Sequence, residues 1–83
     1  MIKIAVYQHR VLPTKALVTQ TKNNWVEFYI EDHENLSYLE ESVFLAAYQL
    51  YNTLDRPLYT EQELTELRKT VRSQGIQVPS VFE

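Results

Sequence analysis

Residues 36–54, Leu-Ser-Tyr-Leu-Glu-Glu-Ser-Val-Phe-Leu-Ala-Ala-Tyr-Gln-Leu-Tyr-Asn-Thr-Leu, decide how much of this chain is helix. Leu39, Val43, Ala46, Ala47, Leu50 and Leu54 recur at i, i+4, i+7, i+8, i+11 and i+15, a continuous helical stripe. Phe44, Tyr48 and Tyr51 form a second stripe at i, i+4 and i+7, displaced around the axis. Ser37 and Glu40 have the S-x-x-E spacing of a capping box, with Leu36 placed for a staple contact. Asp55-Arg56-Pro57 is a stop signal, because proline has no N–H to continue the ladder. The pattern predicts one helix over 36–54 with two apolar sides to cover.

Downstream, the spacing predicts a second helix over 60–74. Thr60 and Glu63 form another capping box, and Glu61, Glu63 and Glu66 match the positive end of the helix dipole. Arg68, Lys69 and Arg72 match the negative end, and Gly75 stands where a left-handed C′ residue is needed. The apolar stripe is thin (Leu64, Leu67 and Val71), which places this helix on a surface. Residues 76–83 read as an extended apolar tail around Pro79.

Upstream, residues 1–31 read as a sheet. Ile2, Ile4 and Val6 alternate with Lys3, Ala5 and Tyr7, the period of a half-buried strand. Pro13 forces a turn near 11–14. Residues 15–21 and 25–31 are rich in β-branched and aromatic types, and they flank Asn23-Asn24, a pair that tolerates the left-handed turn of a tight hairpin. A regular ladder from that turn sets Thr19 opposite Phe28 and Leu17 opposite Ile30. One face then carries Leu17, Thr19, Val26, Phe28 and Ile30, and the other Val18, Trp25 and Tyr29. The expected architecture is one α+β domain over 1–83: a three-stranded antiparallel meander followed by two helices packed on one face, in the order β-β-β-α-α.

Composition narrows the chemistry. Eighty-three residues allow a single domain, and 45% apolar content suffices only for a compact core. With no cysteine there is no disulfide framework and no thiolate metal site. One glycine excludes the glycine-rich phosphate-cradling loops. The formal charge of −3 hides a segregation: residues 1–30 are net basic, residues 31–66 hold nine acids against Arg56, and 67–83 are basic again. The N-terminal stretch has neither the apolar region nor the cleavage site of a signal peptide, and no long apolar run suggests a membrane span. A cytoplasmic protein is the expectation.

No catalytic constellation is visible. His33 lies among Glu31, Asp32 and Glu34, but consecutive turn residues do not converge on a metal, and His9 has no partner that the sequence identifies. No serine occupies a G-x-S-x-G elbow, and Glu40 and Glu41 point different ways on a helix. The expectation is a non-enzymatic protein without metal or cofactor. Nucleic-acid binding is the alternative function, through stacking on sheet aromatics or through Arg68, Lys69 and Arg72 on phosphates; glutamates in the first turns of that helix argue against it.

The leading expectation is protein–protein contact. Ten aromatics, six of them tyrosine, exceed what so short a chain is expected to bury, and tyrosine and tryptophan are concentrated at interfaces. The predicted interface is at least one of two surfaces: Tyr7, Val18, Trp25 and Tyr29 on the sheet, or Phe44, Tyr48 and Tyr51 on the long helix. This describes a small regulator, adaptor or inhibitor of another protein, self-associating as a homodimer.

Overall fold

The computed structural model describes residues 4–31, 35–54 and 59–82. Its elements are β1 (Ile4–His9), β2 (Lys15–Lys22), β3 (Trp25–Ile30), β4 (Leu36–Glu40), α1 (Glu41–Ala47), β5 (Tyr48–Leu54) and α2 (Glu61–Ser73), followed by a 3-10 turn, Ser80–Phe82. The class is α+β, but the three-stranded meander with both helices on one face is overturned. The sheet has five antiparallel strands in the order β4-β3-β2-β1-β5. The helices lie on opposite faces.

The correction falls on 36–54. The expected helix survives only as α1, and strands stand on either side of it. Leu36 and Tyr38 alternate with Ser37 and Leu39 in a strand register against β3, with Leu36 opposite Tyr29 and Tyr38 opposite Glu27. Ser37 and Glu40 are therefore ladder residues, and Glu40 precedes α1 in extended conformation without a side-chain cap. Beyond Ala47, Tyr48-Gln49-Leu50-Tyr51-Asn52-Thr53-Leu54 pairs with β1. Its tyrosines and threonine favour a pleated surface, and pairing with β1 there outweighs the helical periodicity.

The hairpin forms where expected, Asn23 and Asn24 having φ of 48° and 67°. The ladder it starts is not regular. Between Val18 and Gln20 the register shifts at a bulge, so Val18 meets Phe28 and Leu17 meets Tyr29. A one-residue slip turns every side chain beyond it to the other face, so the expected face assignment for Leu17, Thr19 and Val18 is inverted.

One face packs Val6, Leu17, Tyr29 and Leu36 against Val71 of α2 and against Val78 and Phe82 of the C-terminal segment. The tail is thus docked, with Phe82 against the Tyr38 ring at 5.4 Å. The other face packs Ala16, Val26 and Phe28 with Phe44 of α1 and Tyr48. α2 begins at its predicted capping box, Thr60 Oγ1 accepting from Glu63 N–H and Glu63 Oε1 from Thr60 N–H, both at 3.2 Å. It ends before Gly75 at φ 83°.

Candidate interaction surfaces

α1 is too short to stand alone, and its surroundings hold it. Glu41 N–H donates to Asn24 O in the hairpin turn at 2.7 Å. At the other end the Arg10 guanidinium donates to Leu45 O through Nε at 3.3 Å and Nη2 at 3.0 Å, and Arg10 N–H donates to Ala47 O at 2.9 Å. A cation on the terminal carbonyls is the arrangement the helix dipole favours. The only buried side chain of α1 is Phe44, 1% exposed. Its ring meets Tyr7 edge-on at 5.0 Å, Phe28 at 4.9 Å and stacks on Tyr48 at 4.8 Å.

With Phe44 inward and Ala47 partly covered, Ser42, Val43, Leu45 and Ala46 of α1 are exposed. Val43 and Leu45 are about half exposed. Leu50, across from Tyr7 on the adjoining edge strand, is 61% exposed. The β1–β2 loop adds Val11 at 86% and Leu12 at 54%. His9 organises that loop: its Nδ1 accepts from Val11 N–H at 3.1 Å and Leu12 N–H at 3.0 Å, and its ring packs edge-on to Tyr48 at 5.0 Å. Arg10 ties the same loop to α1, so the loop, α1 and β5 make a joined ridge that bears these exposed side chains, with Val43 and Leu45 on opposite flanks of the helix. On the other side of β5, Tyr51 is exposed beneath Lys15 Nζ, 4.6 Å from its ring centre.

The predicted interface is thus dispersed. Tyr29, Phe44 and Tyr48 lie in the interior, and Tyr7, Val18 and Trp25 are half-buried against the two core clusters. Only Tyr51 is widely exposed. Burial pushes the Tyr48 hydroxyl above its ordinary pKa; burial, with Tyr59 alongside, raises Tyr29 to about 12. Val11, Leu12, Val43, Leu45 and Leu50 carry the exposed apolar surface instead. Val11-Leu12 beside a turn-forming proline was the visible signal.

The second feature is a buried charge pair. Glu27, on the α2 face of β3, is 0% exposed. Arg68 Nε donates to Glu27 Oε2 and Arg68 Nη2 to Oε1, each at 2.7 Å, a two-pronged pair. Tyr38 Oη donates to Oε2 at 2.7 Å and Thr19 Oγ1 to Oε1 at 2.8 Å. Arg68 Nη2 also donates to Gln20 Oε1 at 3.3 Å. The bulge in β2 brings Thr19 and Gln20 together beside Glu27. Burial alone would raise the carboxyl's pKa, but the bonds from Arg68, Tyr38 and Thr19 hold it below the ordinary value. Burial and the bond to Glu27 push Tyr38 well up, and the same carboxylate raises Arg68 despite burial.

This pair bears on the expected phosphate contacts. Arg68 is committed to Glu27, and Lys69 stands 3.5 Å from Glu66. Arg72 is exposed on the last turn of α2. An acid between apolar neighbours on a strand, Trp25-Val26-Glu27-Phe28-Tyr29, was the signal that a basic partner had to reach it.

An open groove of about 380 Å³ runs along α2, lined by Tyr59, Gln62, Glu63, Glu66 and Leu67 among others. Among the described residues no three His, Asp or Glu side chains are grouped to hold a metal ion, and no helix is long and apolar enough to cross a membrane. Asp32, His33 and Glu34, the acidic turn around the second histidine, lie outside the described residues. No protein-family model, curated protein or solved structure matches the chain.

Proposed function

We propose that the protein is a small non-catalytic interaction module, a regulator, adaptor or inhibitor of another protein, whose working surface is the ridge of Val11, Leu12, Val43, Leu45 and Leu50. The observation that carries this reading is the exposure of these five large apolar side chains on the loop, α1 and β5 of a chain this small. The ridge rests on a fixed base, since Phe44 and the Arg10 bonds to Leu45 O hold α1 in place. A preformed surface loses little entropy on binding.

The test compares the wild type with a Val43→Asp/Leu45→Asp variant and an α2 control, Glu66→Ser, as baits for cross-linked capture and in light scattering coupled to size exclusion. The reading expects the ridge variant to lose both heterologous capture and self-association while keeping the wild-type circular dichroism spectrum, and the control to keep them. A folded ridge variant with an unchanged capture profile and unchanged mass would sink it.

A further inference from the structure

We propose that His9 is a pH-sensitive latch on the β1–β2 loop: the neutral imidazole holds the Val11-Leu12 tip in place, and protonation releases it. His9 Nδ1 accepts from two backbone donors at once, Val11 N–H at 3.1 Å and Leu12 N–H at 3.0 Å. A ring nitrogen that accepts carries no proton, so the neutral ring holds its proton on Nε2. An imidazolium donates from both nitrogens and accepts at neither. A proton on Nδ1 therefore faces two N–H donors, and both bonds are lost together. Histidine is the side chain whose charge changes between about pH 5 and 8.

The tip gives way, not the ring. His9 ends β1, pairs with Tyr48 and donates its own N–H to Thr14 O at 2.8 Å, while its ring packs edge-on to Tyr48 at 5.0 Å. The tip lacks such support. Val11 and Leu12 are exposed, Pro13 has no N–H, and among the described residues no other hydrogen bond reaches 11–13. The base of the loop stays fixed, because the bonds from Arg10 to Ala47 O and Leu45 O do not use the imidazole. The surrounding charges give the protonated ring no counter-ion. Arg10 beside it is a cation, and so is Lys15 of β2, which stands over Tyr51. β5 turns Tyr48 to the ring, and the one charged residue of α1, Glu41, lies at the far end beside Asn24. Among the described residues His9 has no ion pair. Val11 and Leu12 belong to the proposed working surface, so what the latch regulates rests on that proposal, whereas the latch itself does not.

The test is amide and imidazole NMR of the whole chain from about pH 8 to about pH 5. The Val11 and Leu12 amide resonances should shift with the same midpoint as the His9 ring, and their order parameters should fall from about 0.85 to below about 0.6. The Arg10 amide should keep its order, and the ring at the alkaline end should carry its proton on Nε2. His9→Asn should flatten both amide titrations, since its Oδ1 accepts from loop N–H groups at every pH. His33→Gln identifies the ring signals by removing the other histidine and should leave the titrations unchanged. A neutral ring protonated on Nδ1, Val11 and Leu12 amides that do not follow the ring, or amides that titrate equally in His9→Asn would each overturn the latch. A released tip with partner capture unchanged in Val43→Asp/Leu45→Asp would uphold the latch and remove the ridge as the working surface. A tip fixed across the range, with capture lost in that variant, would do the reverse.

Discussion

On one face of the sheet a 13-residue helix docks through Val71 and a buried charge pair; on the other, a seven-residue helix docks with Phe44 as its one buried side chain and Ala47 packed beside it. The first arrangement fixes one position and one orientation, since Arg68 reaches Glu27 with both prongs only when α2 lies as it does. The second leaves most of its helix's apolar surface unused. The domain buries a carboxylate to seat one helix and leaves Val43 and Leu45 about half exposed on the other. Polar precision seats α2, and the proposed working surface is the exposed apolar area around α1.

The sharpest way to break this contrast is at the charge pair. Arg68→Met leaves Glu27 buried without its cation and should cost about 3–5 kcal/mol in urea denaturation. Glu27→Leu/Arg68→Met should recover most of that loss, because it leaves no unpaired charge, although Tyr38 Oη loses its acceptor. The pair also predicts a pH dependence. Glu27 is held below its ordinary 4.5, so its contribution is present above that pH and lost as pH falls through the folded-state value. Acid denaturation should therefore be steeper for the wild type than for the double variant. At the alkaline end, Tyr29 is raised to about 12 from 10, so its contribution holds below pH 10 and is lost between 10 and 12.

Phe44→Ala should cost about 3 kcal/mol by thermal or urea unfolding and should speed amide exchange in α1, which has no other buried side chain. Thr60→Ala removes the capping bond to Glu63 N–H and should cost about 1 kcal/mol. The smallest effect is the most telling for the working face: Val43→Ser with Leu45→Ser should change unfolding free energy by no more than about 0.5 kcal/mol each while weakening association. A large destabilisation there would mean that the ridge is core after all, and the contrast between the faces would collapse.

Much of this was legible locally and little of it globally. The Asn23-Asn24 hairpin, the Thr60 capping box and the role of Gly75 depend on a few adjacent residues whose backbone chemistry has few alternatives. The stretch 36–54 does not behave so. Its apolar spacing suits a helix, while its tyrosines, Thr53 and Leu36 suit strands, and only the availability of β3 and β1 as partners decides between them. The β2 bulge was equally hidden, since nothing near Thr19 announces that Glu27 needs both Thr19 and Gln20. That shift also divided the candidate interface: it set Val18 beside Phe28 while Trp25 and Tyr29 lie on the α2 face, and the new strands drew Tyr48 inward.

The pairing of β5 with β1 has a consequence for how the molecule assembles. It joins residues 39 apart in sequence at His9 with Tyr48 and 50 apart at Ile4 with Leu54, whereas β2 and β3 meet across a two-residue turn. Closing so large a loop costs more entropy before any contact returns it than closing the β2–β3 hairpin does. Until residue 54 has left the ribosome, β1 is itself an open edge, with Tyr7 and Val6 uncovered on either side. β1 thus lies inside the finished sheet, yet one of its two neighbours is the strand made long after it, so its second edge is the last to find its partner in sequence order.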